Sequence, residues 1–424
     1  MTANQAIRRV LSPFSEGISF IARQHHDWRV TVARTSLDRL TYQIVFPYQS
    51  IYIMALGASA TQLGAVNSTG MAVAGLFGPL TGWLIDRLGA KRIYLIGISL
   101  LMLSYLQYGL AQNWLATIPA MMSYWLGYST SVLGCATICG NCLANQDRAR
   151  GMMFCETVAA GVLGMLGPML GAWIVGLSGG VGVSGIRPLY IVGLLASGGT
   201  FFLVLTQLSD RRWRVIGTSA RPNLFQDLQQ VFKEGRNLKR WIVIGSICQL
   251  PLGMVLPFAQ VFAHEFKGAN QYLLGAMATG AALTSIVCAI PLGRLADRVG
   301  RKRVLYITLP LFWVSNLMLL WAPSPAFLIA AGVLQGFFFI GAPIAAALER
   351  ELVPAEQMGR WLGIMRFFRM LLNASLALVS GIVWDKLGPH YVFLSFIAID
   401  MLVNVPLLIG MPETLRLKPE GRAA

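Results

Sequence analysis

Apart from Arg360 and His390 at the edges of their runs, seven acidic or basic side chains fall within stretches that are otherwise apolar: Asp38, Arg39, Glu156, Glu349, Arg366, Arg369 and Asp400. An ionised group in hydrocarbon costs about 2.5 to 3.5 kcal/mol on insertion scales, so each needs a partner or a task. A carboxyl can take up and release a proton, which makes Asp38, Glu156 and Glu349 candidate proton carriers. A guanidinium stays charged and grips carboxylate or phosphate in a planar fork. Arg369 shares one helical face with Arg366, Asn373 and Ser380, so it can hold an anionic solute or pair with Asp400; both readings stand. Asp38 and Arg39 begin their run near the interface, where snorkelling is cheap, so a structural role and a coupling role are equally open.

The four His, at 25, 26, 264 and 390, lie outside the apolar runs or, for His390, at the first position of one. A nucleophile beside a base is not legible at membrane depth, and neither is a Walker-type phosphate loop, which argues against an enzyme and against an ATP-driven pump. Of the six Cys, Cys135, Cys139 and Cys142 share one helical face; with no His nearby, small-residue packing is the stronger reading and no metal or other cofactor is expected.

The elements that must position these groups follow from composition. The 424 residues are 55% hydrophobic and 12% charged, with a mean hydropathy of +0.61. Twelve apolar runs, each about the length needed to cross roughly 30 Å of hydrocarbon, occupy about 37–57, 62–85, 93–111, 114–143, 152–176, 188–208, 241–263, 271–293, 304–321, 326–349, 359–383 and 390–410. Alternation of the barrel type is absent, and a segment in lipid must satisfy its own backbone, so the spacing predicts an all-α membrane protein. Of the 34 Lys and Arg, only Arg187, Lys267 and Lys386 fall in one set of alternate loops; Arg39, Arg366 and Arg369 fall inside runs, and the others crowd the tails and the opposite loops. That asymmetry places both termini in the cytoplasm and explains the formal net charge of +16 without nucleic acid as a partner. Residues 1 to 28 are too polar for a signal peptide, and read either as a helix on the inner leaflet or as a tail.

The chain repeats itself. "PLTGWLIDRLGAKRIY" at 79 to 94 returns as "PLGRLADRVGRKRVL" at 291 to 305, so Gly82, Asp86, Gly89 and Lys91 recur as Gly293, Asp297, Gly300 and Lys302, 211 residues later. The offset also carries Asp38, Tyr42, Val45 and Gln49 onto Gln249, Gly253, Leu256 and Gln260. A unit of six helices used twice accounts for this. The resulting division is 1–36 as an N-terminal segment, 37–208 and 241–410 as two bundles, 209–240 as a cytoplasmic linker and 411–424 as a tail.

The hairpin resembles the pattern G-x-L-A-D-R-x-G-R-K-x-x-L of the major facilitator superfamily. Gly293 to Leu305, with Asp297, Arg298, Gly300 and Arg301, match every specified position; the first copy keeps Gly82, Leu84, Asp86, Arg87, Gly89 and Lys91 but has Ile85, Ala90 and Tyr94. The resemblance implies two six-helix bundles around a central cavity that opens to one side at a time. A carboxylate in a short loop can also sit against the positive end of a helix. In the family's arrangement Asp86 would cap helix 11 and Asp297 helix 5, latching the cytoplasmic side. Glu156 and Arg366, pseudo-equivalent in the repeat, would form a gate ion pair there or serve separate structural pairs. "GMLGPMLGA" at 164 to 172 is similar to the helix 5 signature of antiporters with two departures, and small-residue packing explains it as well; the helix 4 pattern R-x-x-Q-G fails, with Ser123 at its Arg position.

A cavity lined by helices 1, 4, 7 and 10 would draw on Tyr42, Gln49, Tyr52, Ser131, Asn141, Gln249, Gln260, Gln335 and Phe339, with Arg369 from helix 11. Amides, hydroxyls and rings with few charges suit an amphipathic small molecule. The resulting expectation is a secondary transporter of the inner cell membrane, acting as a monomer and leaning to proton-coupled export of amphipathic or drug-like compounds as an antiporter. The alternatives are an organic-anion transporter using Arg369 and, in another class, a transport-inactive membrane sensor.

Overall fold

The computed structural model describes residues 20–21, 23–143, 151, 155, 160–209, 243–352 and 358–410. Among these residues there are helices and turns and no strand. The helices are α1 (His26–Ala55), α2 (Ala60–Leu88), α3 (Ala90–Leu110), α4 (Thr117–Cys142), α5 (Ala160–Leu177) and α6 (Val183–Gln207) in the first half. The second half holds α7 (Val243–Lys267), α8 (Gln271–Val299), α9 (Arg301–Leu320), α10 (Pro325–Leu352), α11 (Met358–Lys386) and α12 (Pro389–Ile409). Their order is that of the twelve apolar runs. Eight of them, α3 and α6 to α12, are long and apolar enough to cross a bilayer. The linker from 210 to 242 and the tail from 411 lie outside the described residues.

α1 starts at His26, well before the apolar run at 37. The extra turns are tied down rather than solvated: the Asp27 carboxylate accepts from the backbone N–H of Ser209 at 3.1 Å and from its hydroxyl, fastening the start of α1 to the end of α6. Thr31 and Arg34 are buried in this part of the helix.

The repeat is a repeat of backbone. α2 and α3 are joined through Gly89 alone, at φ 84° and ψ 156°, and α8 and α9 through Gly300 alone, at φ 107° and ψ 144°. A one-residue reversal between antiparallel helices needs this left-handed φ, which L side chains rarely adopt. The motif therefore keeps Gly at both places. The helix pairs in contact include α3 with α4 and its counterpart α9 with α10, and α2 with α4 and its counterpart α8 with α10. Across the halves α2 meets α11 and α5 meets α8, which exchange under the same operation.

These inter-half contacts are close because both partners offer small residues, the means by which helices attract one another where lipid is as apolar as leucine. A Cβ on Gly64 would stand 2.3 Å from the carbonyl oxygen of Ala377, and one on Gly381 would stand 2.3 Å from that of Ala60. Gly167 and Gly171 bring α5 against Gln43 and Ile44 of α1 in the same way, so the antiporter-like stretch of α5 has a packing role.

Two helices are interrupted. α7 breaks at Gln249 and again at Val255, with Pro251 and Pro257 opening the following pieces, and α12 contains a π turn at Asp400–Asn404. Backbone groups freed by such breaks must find partners inside the protein.

Candidate functional site

A cavity of about 370 Å³ lies in the first half, lined by Arg34, Thr35, Asp38, Arg39 and Tyr42 of α1, by Leu101 and Tyr105 of α3, and by Tyr124, Tyr128, Ser131, Val132 and Cys135 of α4. It occupies the part of the bundle toward the end that carries Arg87, Lys91, Arg298 and Arg301, here called the basic end.

Its charge is set by α1. Asp38 follows Arg34 by one helical turn, and the two meet at 2.7 Å, with Arg34 only 3% exposed. Arg34 also donates to the Tyr94 hydroxyl at 3.3 Å and lies 4.6 Å from the centre of that ring. Arg39 stands 5.3 Å over the ring of Tyr42. Two guanidiniums and one carboxylate thus face the cavity, where paired charges escape much of the desolvation cost of a lone ion.

Its walls are aromatic. Tyr42 stacks on Phe46 at 4.9 Å and on Tyr124 at 6.3 Å, and Tyr124 stacks on Tyr128 at 6.2 Å with planes only 9° apart. Tyr124 and Tyr128 share a face of α4 because they are four residues apart. Ser131 also lines the cavity, but its hydroxyl is buried against α3, 2.6 Å from where a Cβ on Gly97 would stand. Apolar faces with a few oriented polar groups are what a small-molecule site requires.

The sequence candidates divide. Asp38, Arg39, Tyr42 and Ser131 are brought together in the cavity. Gln49 and Tyr52 belong instead to a buried network: Gln49 donates to the Tyr108 hydroxyl at 3.1 Å, Tyr52 to the Tyr108 carbonyl at 2.8 Å, and Arg187 to the Ala111 carbonyl at 2.7 Å. Gln249 sits at the break in α7, while Gln260 and Gln335 are buried and Phe339 packs edge-on against Phe338 at 5.3 Å. None of these four lines the cavity, whose walls come from α1, α3 and α4 rather than α1, α4, α7 and α10. Gly127 and Gly134 turn to α3, where added Cβ atoms would meet the Gly97 carbonyl at 2.7 Å and Tyr94 at 2.8 Å. That stripe of α4 is a packing face.

Arg369 serves the break in α7. Its Nε donates to the Gly245 carbonyl at 2.9 Å, and its neighbour one turn on, Asn373, accepts from the Gly253 N–H at 3.0 Å. Asp400 accepts from Trp313 Nε1 at 2.6 Å and from Asn404 at 2.7 Å, so Trp313 and Asn404 hold this acid in the π turn.

In the motif, Asp297 is exposed and lies 3.9 Å from Arg301 across the Gly300 turn. Arg87 and Arg298 are exposed too, while the helical backbone passes through Gly82 and Gly293. Arg366 is half-buried on α11, its Cδ 4.0 Å from where a Cβ on Gly78 would stand. Glu156 lies outside the described residues, as do the side chains of Asp86, Asn141 and Glu349. The type of contact sought from the motif acids occurs at the other end of the molecule. Asp385, at the end of α11, accepts from the Thr61 N–H at 2.8 Å and so caps the start of α2 across the two halves. Tyr48 of α1 similarly donates to the Gln271 carbonyl at the start of α8 at 3.0 Å.

A family model described as Major Facilitator Superfamily matches residues 35–269 and 242–424. The chain belongs to the Major Facilitator Superfamily. It is 24% identical over 438 residues to multidrug resistance protein MdtG of Yersinia enterocolitica, covering 95% of this chain and 98% of that one. MdtG of Dickeya zeae is 25% identical over 399 residues, covering 85% and 88%. The crystal structure of nucleoside transporter NupG superposes with a TM-score of 0.71 at 16% identity, over 92% of this chain and 100% of that one, which shows the shared fold. The protein is accordingly a multi-pass membrane transporter of this superfamily and not an enzyme. The lining residues that the sequence did not mark for the cavity are Arg34, Thr35, Leu101, Tyr105, Tyr124, Tyr128, Val132 and Cys135; Arg34 was signalled by its i, i+4 spacing to Asp38, and Tyr124 and Tyr128 by their i, i+4 spacing.

Proposed function

We propose that this superfamily member is a secondary transporter that exports amphipathic aromatic compounds from the cytoplasm in exchange for protons. The observation that carries the reading is the cavity of about 370 Å³ in which stacked tyrosines stand beside the buried Arg34–Asp38 pair. The rings supply apolar contact and face a cation or an aromatic group equally well. Asp38 is the carboxyl in that cavity: a proton on it frees Arg34 from its counter-ion, and loss of the proton restores the pair, so proton and solute compete for one local arrangement. The name shared by the MdtG relatives, multidrug resistance protein, supports the substrate class.

The basic loops assign the basic end to the cytoplasm and both termini with it, in the inner cell membrane. The contacts of Asp385, Gly64 and Gly381 across the two halves at the opposite end support reading this arrangement as one state of an alternating-access cycle. The organic-anion alternative rests on Arg39, which faces the cavity, because Arg369 is directed at the α7 backbone.

Purified protein in liposomes, loaded with a fluorescent amphipathic dye and given a pH gradient, tests the reading. Dye movement driven by the gradient and lost in Asp38→Asn is the expected result. Movement indifferent to the gradient refutes proton exchange, transport of carboxylate dyes alone with loss in Arg39→Gln supports the anion alternative, and no transport of either class supports a sensor.

A further inference from the structure

α4 presents Cys135 and Cys139 one helical turn apart, and the approach to α5 adds Cys155 to them. The three sulfur atoms all lie within 4.8 Å of one another, and Sγ of Cys135 and Cys139 are 4.0 Å apart. We propose that Cys135, Cys139 and Cys155 form a three-coordinate site for a soft monovalent metal ion of the Cu(I) class, set into the wall of the transport cavity.

Geometry supports the coordination number. With metal–sulfur bonds of about 2.3 Å, three sulfurs in a plane around one ion stand 2.3 × √3, about 4.0 Å, apart. The Cys135–Cys139 edge already has this length, and the remaining edges, at no more than 4.8 Å, have to shorten by less than about 1 Å. Three sulfurs without a carboxylate select soft ions over Mg²⁺, Ca²⁺ or Mn²⁺.

The surroundings support the class. Cys139 is 2% and Cys155 1% exposed, and they pack in one cluster with Phe20, Trp28 and Leu143. An apolar shell of this kind leaves little access for the water molecules that hard ions keep, and tetrahedral Zn²⁺ would need a fourth ligand. Thr35 Oγ1, 3.7 Å from the Cys135 sulfur, is a poor ligand for a soft ion. The neighbouring group of His25, Asp27 and Cys142 is separate, and its Asp27 is already held by Ser209.

Charge supports the valence. A Cu(I) ion that meets three thiols, forms three Cu–S bonds and releases two protons to solvent leaves two thiolates and one neutral thiol, a net charge of −1. Cys135 faces the same cavity as Arg34, Arg39 and Asp38, whose two guanidiniums and one carboxylate carry a surplus of +1. The bound ion therefore brings the wall to neutrality, which a low-dielectric site favours. No oxidant or reductant takes part.

The test uses the full chain in detergent, titrated with Cu(I) kept reduced by ascorbate and competed with bicinchoninate. One copper per chain is expected, with affinity at least tenfold lower in Cys135→Ser, Cys139→Ser and Cys155→Ser and unchanged in Cys248→Ser and Cys288→Ser. Should a serine variant fail to fold, the unmodified protein answers the question: during mild denaturation, alkylation read by mass spectrometry should reach Cys135, Cys139 and Cys155 later with Ag(I) bound and reach Cys248 and Cys288 at unchanged times. Copper that is not retained against bicinchoninate, or protection spread evenly over all six cysteines, overturns the proposal. This outcome is independent of dye transport, so the two readings fail separately.

Discussion

Replacing Gly381 by alanine puts a methyl group 2.3 Å from the Ala60 carbonyl oxygen and 2.8 Å from the Thr61 Cα, across the contact between α11 and α2. Ordinary contact begins near 3.4 Å, so the helices must part by about 1 Å at this point. The obstacle is backbone, which cannot swing aside as a side chain does. Overpacking of this kind costs roughly 1 to 3 kcal/mol. If the closed and open arrangements of this end are within a few kcal/mol, that cost moves their ratio by roughly 5- to 150-fold toward open. Spin labels at the exposed Ser59 and Leu387 positions, read as a distance distribution by pulsed electron resonance, should lose their short component in Gly381→Ala, and transport that requires closure should slow in step. Gly199→Ala on α6 is the control, since nothing lies within 4 Å of its Cβ. A wild-type distance distribution in Gly381→Ala, with wild-type transport, would refute the argument that this backbone contact seals the opposite end.

Asp385→Ala removes a side-chain cap that is worth about 0.5 to 2 kcal/mol to a helix start, so the same labels should show a smaller shift in the same direction. Tyr124→Ala interrupts the stack between Tyr42 and Tyr128 and should weaken dye binding by about 0.5 to 1.5 kcal/mol, measured by fluorescence titration in detergent. Arg369→Ala leaves the Gly245 carbonyl short of a donor and should lower the melting temperature of the detergent-solubilised protein while the preference between anionic and neutral dyes stays as it was; a selective loss of anion transport would count against the structural role. Trp313→Phe takes a hydrogen bond from the buried Asp400 and should cost about 1 to 3 kcal/mol in the same melting assay.

Most of the architecture was legible before any coordinates, for a reason peculiar to lipid. Where water is missing, each crossing segment must close its own hydrogen bonds, so length and apolarity alone reveal helices and their order. The repeat marked Gly89 and Gly300 as equivalent, but hydropathy ends the flanking runs at 85 and 293 and resumes them at 93 and 304, so only the structure reduces each loop to a single glycine, whose φ other residues rarely adopt. What hydropathy hid was the start of α1: Asp27, Arg34 and Asp38 look like the polar approach to a helix, and only their partners Ser209 and Tyr94, together with the Arg34–Asp38 pair, show how they are accommodated.

Helical periodicity establishes that α4 has a stripe with Ser123, Gly127 and Gly134 and another with Tyr124 and Tyr128, but a helix in a bundle has neighbours on several sides. Which stripe meets α3 and which meets the cavity is decided by the crossing of α3, where the Gly97 backbone admits no side chain opposite Gly127. Cys155 joins Cys135 and Cys139 for the same kind of reason, across 15 intervening positions that no period connects. The sequence by itself determined the helices, their order, the duplication and the family, all of which rest on local composition and spacing. Tertiary structure alone decided the contents of the cavity, the contacts of Asp385 and Gly381 across the halves and the partners of Arg369 and Asp400, because those depend on which faces of distant segments are pressed together.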